Sequence, residues 1–509
     1  MSSSKKIVKN TIFLYFRMLF TMGVNLYTSR VVLDVLGVSD FGVYSVVSGL
    51  TSMFIFLNYS MSGATSRFLT FELGRNDTEK LKRTFSAAVT VHLLIALVIF
   101  VLGETIGLWS LEHKLVIAAE RMYAARWVFQ LSLASAMVTI IQVPFSALLI
   151  AHERMNIYAY IEILNSALKL SIVYLLGIGD FDNLIVYAIW VLTAYVATAF
   201  VYRTYCGRNF TESRYVWQWD KEIIYPMLNF FGWDLYGNMG VVVKNQGINI
   251  LLNIFFGVIV NAAYTLAIQV QGAIMNFSNG LLLAVRPSIV KSYASNDIEK
   301  MRNLTINASK FSFLLVFLIS FPLIVENDVI LHLWLKKVPE HAVPFCQWSL
   351  IANLIFTLAF PVTFAIHATG KIRLYSFVYG TLYLLVVPVS YVFLKLGFSP
   401  LLSFIVNAVM MVFYCVTNVF LLRKLIPHVP FLRPFFQMLV LCAIVVALSV
   451  VLPLYFHQIM PEGWSRFFAE GVSFVVVLGL AVYLIAVEKN DRTEIQGMLR
   501  SKLRLQTSL

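Results

Sequence analysis

An arginine lies deep within the first long apolar stretch of the chain. Arg17 falls inside residues 9–33, which are otherwise largely apolar. A charged side chain in such a stretch is costly and usually faces protein or water, and a guanidinium offers a planar fork of donors that suits phosphate or carboxylate groups. At about 100° per helical residue, four polar residues share its face or lie slightly to one side: Asn10, Thr21, Asn25 and Thr28. The pattern predicts a helix face that borders water and an arginine that contacts an anion.

Two further apolar stretches carry polar side chains at helical spacing. In residues 223–254, five polar residues share a face about 100° wide: Asp234, Asn238, Asn245, Asn249 and Asn253. Lys244 belongs to the same stretch but points roughly 120° away from that face. In residues 156–177, three polar residues share another face: Glu162, Asn165 and Lys169.

These stripes supply the candidate substrate-binding residues, which are Arg17, Asn10, Thr21, Asn25, Asp234, Asn238, Lys244, Asn245, Asn249, Glu162, Asn165 and Lys169. Taken singly, an asparagine or threonine can equally join two helices through a hydrogen bond worth about 1 kcal/mol or less. Lys169 can equally pair with Glu162 or with water. Arg17 is different, because a guanidinium in the middle of a span needs an anion or aqueous access.

The elements that position these residues are membrane-spanning helices. Hydrophobic residues make up 59% of the 509 residues, charged residues only 13%, and the mean hydropathy is +0.79. Apolar runs of roughly 20 residues are long enough to cross a bilayer. About fourteen such runs are predicted, at residues 9–33, 41–66, 84–109, 122–149, 156–177, 184–203, 223–254, 258–285, 309–334, 345–369, 372–395, 400–422, 434–456 and 466–487. The predicted fold class is therefore an all-α, polytopic membrane protein.

The net charge of +13 is distributed unevenly across the predicted membrane. If both termini are cytosolic, roughly 28 of the 39 Lys and Arg residues fall on the cytosolic side and about 8 on the other side. Cytosolic loops of membrane proteins carry such an excess. The distribution predicts cytosolic termini and explains the net charge without a nucleic-acid partner.

A polar segment occurs twice, 220 positions apart. Asn76-Asp-Thr-Glu79-Lys80 returns as Asn296-Asp-Ile-Glu299-Lys300, which hydrophobic bias alone does not produce. Each copy has the Asn-x-x-Glu form of a capping box, so Asn76 and Asn296 are predicted as helix N-caps. Repeats of this kind are typical of transporters built from two homologous halves.

The repeat predicts five segments. They are a first six-span lobe at 1–205, a cytosolic linker at 206–221, a second six-span lobe at 222–425, an extra helix pair at 426–490 and a basic cytosolic tail at 491–509. The loops between spans are short, and none could fold as a soluble catalytic domain, which needs some 50 residues or more.

Motifs for enzymatic or metal chemistry are incomplete. His152-Glu153-Arg154-Met-Asn156 begins like a zinc-protease helix, but Asn156 replaces the second histidine. Asp180-Phe-Asp182 has a form used by metal-dependent glycosyltransferases, yet it follows two glycines where a turn explains it better. The four cysteines lack metal-ligand spacing, and there is no phosphate-binding Gly-Lys-Ser/Thr loop. The sequence predicts no enzyme, no metal site and no cofactor.

Several stretches resemble a known family. They are Asn10–Leu19, Tyr27–Gly37, Asp40–Tyr44, Met61–Phe68, Pro144–Asn156, Lys244–Asn253 and Pro287–Tyr293. Together they look like Wzx-type polysaccharide flippases, a branch of the multidrug/oligosaccharidyl-lipid/polysaccharide exporter superfamily. The likeness runs to about residue 490. The segment around His152 is a marker of this branch to which no role is assigned.

The resemblance implies twelve helices in two lobes around a V-shaped cavity, followed by two more helices. It implies translocation of undecaprenyl-pyrophosphate-linked oligosaccharides across the bacterial inner membrane by alternating access, for surface polysaccharide synthesis. The implied partners are the lipid-linked oligosaccharide, membrane lipids, a polysaccharide polymerase and glycosyltransferases. By chemistry and position, Arg17, Lys244 and Lys169 would contact the anionic head group, and Asp234 or Glu162 could carry a coupling ion, H⁺ or Na⁺.

Three alternatives stay open. A drug/cation antiporter of the same superfamily would use cavity carboxylates for cationic substrates, and the Arg17 face argues against it. A lipid II flippase for peptidoglycan would be essential to the cell. A membrane-embedded polymerase or ligase would need a sizeable outer loop with catalytic residues, which this chain lacks.

Overall fold

The computed structural model describes residues 3–52, 55–113, 117–175, 182–217, 219–334, 338–487 and Arg492. Within this part of the chain the secondary structure is helical, with no strand. The helices are α1 (Ser3–Ser52), α2 (Ile55–Arg75), α3 (Thr78–Leu102), α4 (Leu108–His113), α5 (Met122–Ala151), α6 (Met155–Leu175), α7 (Asn183–Asn209), α8 (Lys221–Phe256), α9 (Val258–Ala294), α10 (Ile298–Val325), α11 (Asn327–Trp334), α12 (Ala342–Thr369), α13 (Arg373–Lys395), α14 (Leu402–Leu425), α15 (Leu432–Ile459) and α16 (Trp464–Ala481).

Eleven helices of the described part are long and apolar enough to cross a membrane. They match eleven of the predicted spans, and the other three predicted spans fall on α1, α2 and α6. The prediction of an all-α, multi-pass membrane protein is confirmed.

The break predicted between the first two spans is helical instead. α1 runs without interruption from Ser3 to Ser52, about 75 Å at 1.5 Å per residue. The intervening residues 34–40 contain one glycine and no proline, so nothing in them forces the backbone out of its helical hydrogen-bonding pattern. The prediction of a loop at this position was wrong.

Asp182 ties the start of α7 to the start of α5. Its carboxylate accepts from the backbone amide of Leu184 at 3.0 Å and forms an ion pair with Arg121 at 2.7 Å. Arg121 also pairs with Asp40 of α1. Asp182, the second aspartate of the Asp-x-Asp motif, therefore supplies a helix cap and an ion pair. The first aspartate, Asp180, lies outside the described residues.

The two copies of the repeated segment adopt the same turn. Asn76 and Asn296 have φ values of 58° and 60°, a left-handed conformation that asparagine tolerates better than most residues. The next residue caps the following helix: Asp77 accepts from the amide of Lys80 at 2.9 Å, and Asp297 accepts from that of Lys300 at 3.2 Å. The predicted N-caps were therefore wrong by one residue, because each asparagine ends the turn before the cap.

The chain packs as two compact units. Unit 1 comprises Met1–Val242, Gly280–Met301 and Phe364–Thr381. Unit 2 comprises Val243–Asn279, Arg302–Thr363 and Leu382–Leu509. These units group residues by their spatial contacts, and their bounds differ from those of the sequence repeat. The predicted division into two lobes stays a prediction.

Each unit has its own apolar core. In unit 1, α1 packs against α5 and α6, and α5 also packs against α2, α3 and α7. In unit 2, α15 and α16 pack together and share a cluster of buried apolar side chains with α10.

Candidate functional site

Arg17 lies on α1 beside the polar face of α6. Its guanidinium carbon is 5.2 Å from the centre of the Tyr158 ring, and its charge acts on Tyr202 of α7. Arg17 forms no ion pair with any residue that the structure describes. A cation–π contact restrains the guanidinium on one side without neutralising it, so its remaining donors can bind an anion.

The polar residues of α6 have partners on α7. Glu162 Oε1 accepts from the Tyr202 hydroxyl at 2.9 Å, and Lys169 Nζ donates to the Tyr195 hydroxyl at 2.9 Å. Lys169 therefore bonds to a tyrosine rather than to Glu162. The buried Oδ1 of Asn165 has no hydrogen-bond partner among the described residues and offers a free acceptor.

Two of the polar residues near Arg17 bond to backbone. Asn10 Nδ2 donates to the carbonyl of Glu153 at 3.3 Å, which joins α1 to the α5–α6 turn. Thr21 Oγ1 donates to the carbonyl of Met18 at 3.1 Å. The side chain of Asn25 lies outside the described residues. The side chains of Asn10 and Thr21 therefore bond to the protein backbone, whereas Arg17 has no ion-pair partner among the described residues.

Asp234 of α8 sits among basic groups in unit 1. Its Oδ2 accepts from Asn238 Nδ2 at 3.1 Å, and its Oδ1 is 3.9 Å from Nε2 of the buried His367. The charge of Arg286 also acts on it. This carboxylate is therefore partly compensated within the protein.

Arg67 is a charged residue that sequence reasoning did not single out. It is only 6% exposed, and it donates from Nε to the carbonyl of His367 at 3.0 Å and from Nη2 to that of Ala368 at 2.9 Å. These carbonyls lie at the C-terminal end of α12, where backbone acceptors lack helical partners. Arg67 joins α2 to α12, some 300 residues away.

Two glycines make room for this junction. Gly370 has φ +75°, and a Cβ there would lie 2.7 Å from Arg67 Nη2. A Cβ on Gly74 would lie 2.7 Å from the Cβ of Ala294, so α2 and α9 approach as closely as glycine permits.

Further polar contacts join the same ends of the helices. Arg286 of α9 donates to the carbonyl of Gly63 in α2 at 2.9 Å. Lys291, also on α9, pairs with Glu153 of the α5–α6 turn at 3.1 Å. Together with Arg67, these residues form what we term the basic junction: Arg67, Arg286 and Lys291 with their partners, all within unit 1. Arg67 and Lys291 lie in stretches of the family resemblance, which was the only sequence signal for them, whereas Arg286 lies just before such a stretch.

His152 fastens the α5–α6 turn to the segment between α7 and α8. Its Nε2 lies 2.6 Å from Glu212 Oε1, and its ring stacks on Phe210 at 4.2 Å between centroids. The following residue, Glu153, has φ 58° and reaches Lys291. The branch-marker segment thus has a structural role as a connection between loops.

We expect the His152–Glu212 pair to make stability depend on acid pH. Burial acts to raise the pKa of the Glu212 carboxyl, but the hydrogen bond and charge of His152 outweigh it and hold that pKa below its ordinary value of 4.5. A carboxyl with a lowered folded-state pKa stabilises above its unfolded pKa, and this contribution is lost as the pH falls below about 4.5. Glu212→Gln should lower the free energy of unfolding by about 1 kcal/mol at neutral pH.

Thermal unfolding of the purified protein in detergent, measured from pH 7 to pH 3, checks this expectation. The Glu212→Gln variant should lose less stability on acidification than the wild type. Glu79→Gln is the matched control, because the Glu79 side chain is 80% exposed and, among the described residues, pairs only with Lys82 within α3. Parallel pH profiles for the wild type and Glu212→Gln would contradict the assignment.

The remaining candidates, Lys244, Asn245 and Asn249, belong to unit 2. The carboxamide oxygens of Asn245 and Asn249 are buried without a hydrogen-bond partner among the described residues. Lys244 is 7% exposed, and its Nζ lies 3.5 Å from Asn407 Oδ1 of α14. Its side chain is therefore enclosed within unit 2.

One cluster in unit 2 has the residue types of a metal site. Ligand atoms of Glu326, His457 and Glu470 lie within 4.8 Å of one another. However, Arg466 already forms a two-pronged contact with Glu326, at 2.6 and 2.9 Å. Because the guanidinium supplies the positive charge, we interpret the cluster as an ion-pair connection between Glu326, which lies between α10 and α11, and helices α15 and α16.

Comparison with solved structures places this fold among known transporters. A structure of a MATE protein in the straight conformation aligns with a TM-score of 0.73 and 14% identity, covering 83% of this chain and 96% of that chain. An outward-facing multidrug resistance MATE family transporter of the MOP superfamily aligns with a TM-score of 0.70 and 13% identity, covering 86% and 96%.

A third similar structure differs in its binding pocket. It is a MOP superfamily transporter from Pyrococcus furiosus, described as having a pocket of reverse polarity that suggests a different function. It aligns with a TM-score of 0.68 and 15% identity, covering 83% of this chain and 96% of that chain. No family model and no curated protein sequence matches the chain. At these identities the likeness shows the fold, which is the fold of MATE transporters.

Proposed function

We propose that this protein is a transporter of the bacterial cytoplasmic membrane that moves an anionic lipid-linked oligosaccharide from the inner to the outer leaflet. The fold supports transport, and one observation supports an anionic substrate. Arg17 lies on α1 within a span predicted from the sequence, contacts an aromatic ring and has no ion-pair partner among the described residues. A drug transporter for cations gains nothing from such a group, whereas a pyrophosphate head group matches its donors.

Arg17 binds the pyrophosphate in this proposal. A guanidinium can form two parallel hydrogen bonds with phosphate oxygens, and these are stronger than neutral hydrogen bonds. The Tyr158 ring fixes the guanidinium before the substrate arrives, which reduces the entropy lost on binding. Lys169 is a second cation on the neighbouring helix, and its partner, the Tyr195 hydroxyl, is uncharged, so the positive charge of Lys169 stays available to a phosphate oxygen.

An unpartnered carboxamide oxygen in the same unit as Arg17 supplies a contact for a sugar hydroxyl. Asn165 has a buried Oδ1 without a hydrogen-bond partner among the described residues. A sugar hydroxyl that donates to such an oxygen removes the cost of leaving it unsatisfied. The isoprenoid tail needs no polar partner and remains in the lipid.

Alternating access requires the basic junction to open and close. We place this junction at the cytosolic end, where the Lys and Arg residues are concentrated, with both termini on the same side. When its contacts are formed, α2 is bound to α9 and α12. Opening toward the cytosol has to break them.

The membrane potential favours the outward movement of an anionic substrate. For each negative charge moved outward, an inside-negative potential lowers the free energy by about 2.3 kcal/mol per 100 mV.

A second candidate is a drug/cation antiporter, and the comparisons favour it more directly than they favour a flippase. Two of the similar structures described above carry the MATE name, and one is a multidrug resistance transporter. This candidate would rely on Asp234 or Glu162 to bind a cationic drug or a coupling ion, H⁺ or Na⁺. Both carboxylates already accept hydrogen bonds within the protein, which makes them weaker cation ligands.

Reconstitution separates the two candidates. We expect purified protein in liposomes to move a fluorescent undecaprenyl-pyrophosphate oligosaccharide between leaflets, as measured by its accessibility to an impermeant quencher. Export of a cationic dye driven by a proton or sodium gradient should not exceed that of empty liposomes. Dye export without lipid movement would overturn the proposal in favour of the antiporter.

A deletion strain tests the role in the cell. Deletion of the gene should remove surface polysaccharide, and complementation should restore it. This result would link the activity to its expected partners, a polymerase and glycosyltransferases.

A further inference from the structure

Lys244 is a buried cation without a counterion among the described residues. It lies on α8 in the interior of unit 2 and is 7% exposed. Its Nζ has one hydrogen bond, to Asn407 Oδ1, at the long distance of 3.5 Å, and it lies 5.4 Å from the centre of the Tyr383 ring. No carboxylate pairs with it among the residues that the structure describes. An ammonium in such a place is costly unless a negative charge accompanies it.

A small cavity adjoins this ammonium. Its volume is about 20 Å³, and polar groups of four helices line it: Lys244, Tyr264, Gln271, Ser349, Ser403 and Asn407. A cavity needs roughly 10–15 Å³ of this kind to hold one water molecule. The space therefore accommodates a single occupant of about that size.

The lining offers donors that the protein leaves unused. The Ser403 hydroxyl is buried, and its Oγ has no hydrogen-bond partner among the described residues. Lys244 has three N–H groups and, within the part of the chain that the structure describes, a single acceptor. Because Asn407 Oδ1 accepts from Lys244, the Nδ2 group of Asn407 is the part of this side chain that can donate to an occupant of the cavity.

Charge decides between the possible occupants. A water molecule can satisfy hydrogen bonds but leaves the positive charge of Lys244 uncompensated. A monatomic anion does both, because it accepts from the ammonium and the hydroxyl and cancels the charge. We propose that this cavity binds a halide-sized anion, with Lys244 as its principal ligand and Ser403 as a second donor. The site is additional to substrate transport, and it assigns to Lys244 a role other than contact with the carried head group.

The first test measures anion-dependent stability of the purified protein. At constant ionic strength, the Tm in detergent should be several degrees higher in chloride than in gluconate, because an anion that binds only the folded state stabilises it. Lys244→Met should remove the chloride effect, and Ser403→Ala should weaken the apparent affinity about fivefold to tenfold.

Lys310 provides a matched control. It is also 7% exposed and lies in unit 2, but its Nζ donates to the carbonyl of Ala486 at 2.7 Å. Lys310→Met should therefore keep the chloride effect, even if the protein is less stable overall.

The second test locates the anion directly. Crystals grown with bromide should show anomalous scattering beside Lys244 Nζ, and none there in Lys244→Met. Equal Tm values in chloride and gluconate for the wild type would overturn the proposal, as would a chloride effect that persists in Lys244→Met. If Lys244→Met does not fold, the Ser403→Ala titration and the bromide position in the wild type decide. None of these measurements involves transport, so their outcome is independent of the function proposed above.

Discussion

Replacement of Arg17 with alanine is expected to abolish transport while the protein remains folded and abundant. In the proposed mechanism Arg17 supplies the principal positive charge for the pyrophosphate. Loss of one partner from a desolvated, hydrogen-bonded charge pair costs about 2–5 kcal/mol, which corresponds to on the order of 30-fold to several thousand-fold in affinity. The fold should tolerate the change, because Arg17 forms no ion pair among the described residues.

Transport in liposomes and polysaccharide export in cells both measure this effect. Arg17→Lys should give an intermediate rate, because lysine keeps the charge but cannot form two parallel hydrogen bonds. Arg126→Ala is the matched control: the Arg126 side chain is 56% exposed and pairs with Glu112 at 2.8 Å, so its loss should leave transport unchanged. Wild-type export from Arg17→Ala would remove the basis for an anionic substrate. Increased export of cationic dyes by that variant would support the antiporter instead.

Replacement of Arg67 with alanine is expected to shift the protein toward the state in which the basic junction is open. The substitution removes two hydrogen bonds from a charged donor to the α12 carbonyls, each worth about 1.5–3 kcal/mol. A loss of roughly 3–6 kcal/mol changes the ratio of closed to open states by at least about 100-fold. Transport should slow as well, because the cycle then lacks a stable state closed toward the cytosol.

Labelling of a single cysteine measures the opening. Ala294→Cys, in a background without the four native cysteines, lies where α9 approaches Gly74 of α2. Its reaction with an impermeant maleimide from the cytosolic side should be slow in the closed state and several-fold faster with Arg67→Ala. Gly370→Ala should act in the same direction, because its Cβ would displace the Arg67 guanidinium.

Arg75 is the matched control for Arg67. Both guanidinium groups lie 4.8 Å from the centre of the Phe71 ring, but Arg75 is exposed and has no carbonyl partner among the described residues. Arg75→Ala should leave both labelling and transport unchanged. Equal labelling rates for Arg67→Ala and wild type would contradict a role of the junction in closing the protein.

The helices could be predicted well, and their ends less well. Apolar runs of about 20 residues identify membrane-spanning helices because each run satisfies its own backbone hydrogen bonds, and the described spans lie where the runs do. Helix ends depend on single residues. Asp77 rather than Asn76 is the N-cap because Asn76 adopts the left-handed conformation that ends the preceding turn. The helix α1 is continuous because residues 34–40 contain no strong helix breaker.

The candidate site could be predicted only in part. Arg17 stood out because a charge inside an apolar run is rare, and that signal is local. Arg67 follows Thr65 and Ser66, and Arg286 lies just past the end of a predicted span, and charged residues are common at such positions. Their significance comes from partners that are 300 and 223 residues away.

The sequence by itself determined the class of protein, the positions of most spans and the concentration of positive charge that predicts their orientation. These properties follow from composition and helical period, which are local. Only the tertiary structure decided which charges are satisfied. It bonds Arg67 to the end of α12, pairs Lys169 with Tyr195, and leaves Arg17 and Lys244 without a carboxylate among the described residues. The physical reason is that the cost of a buried charge depends on the groups packed around it, and distant parts of the chain supply those groups.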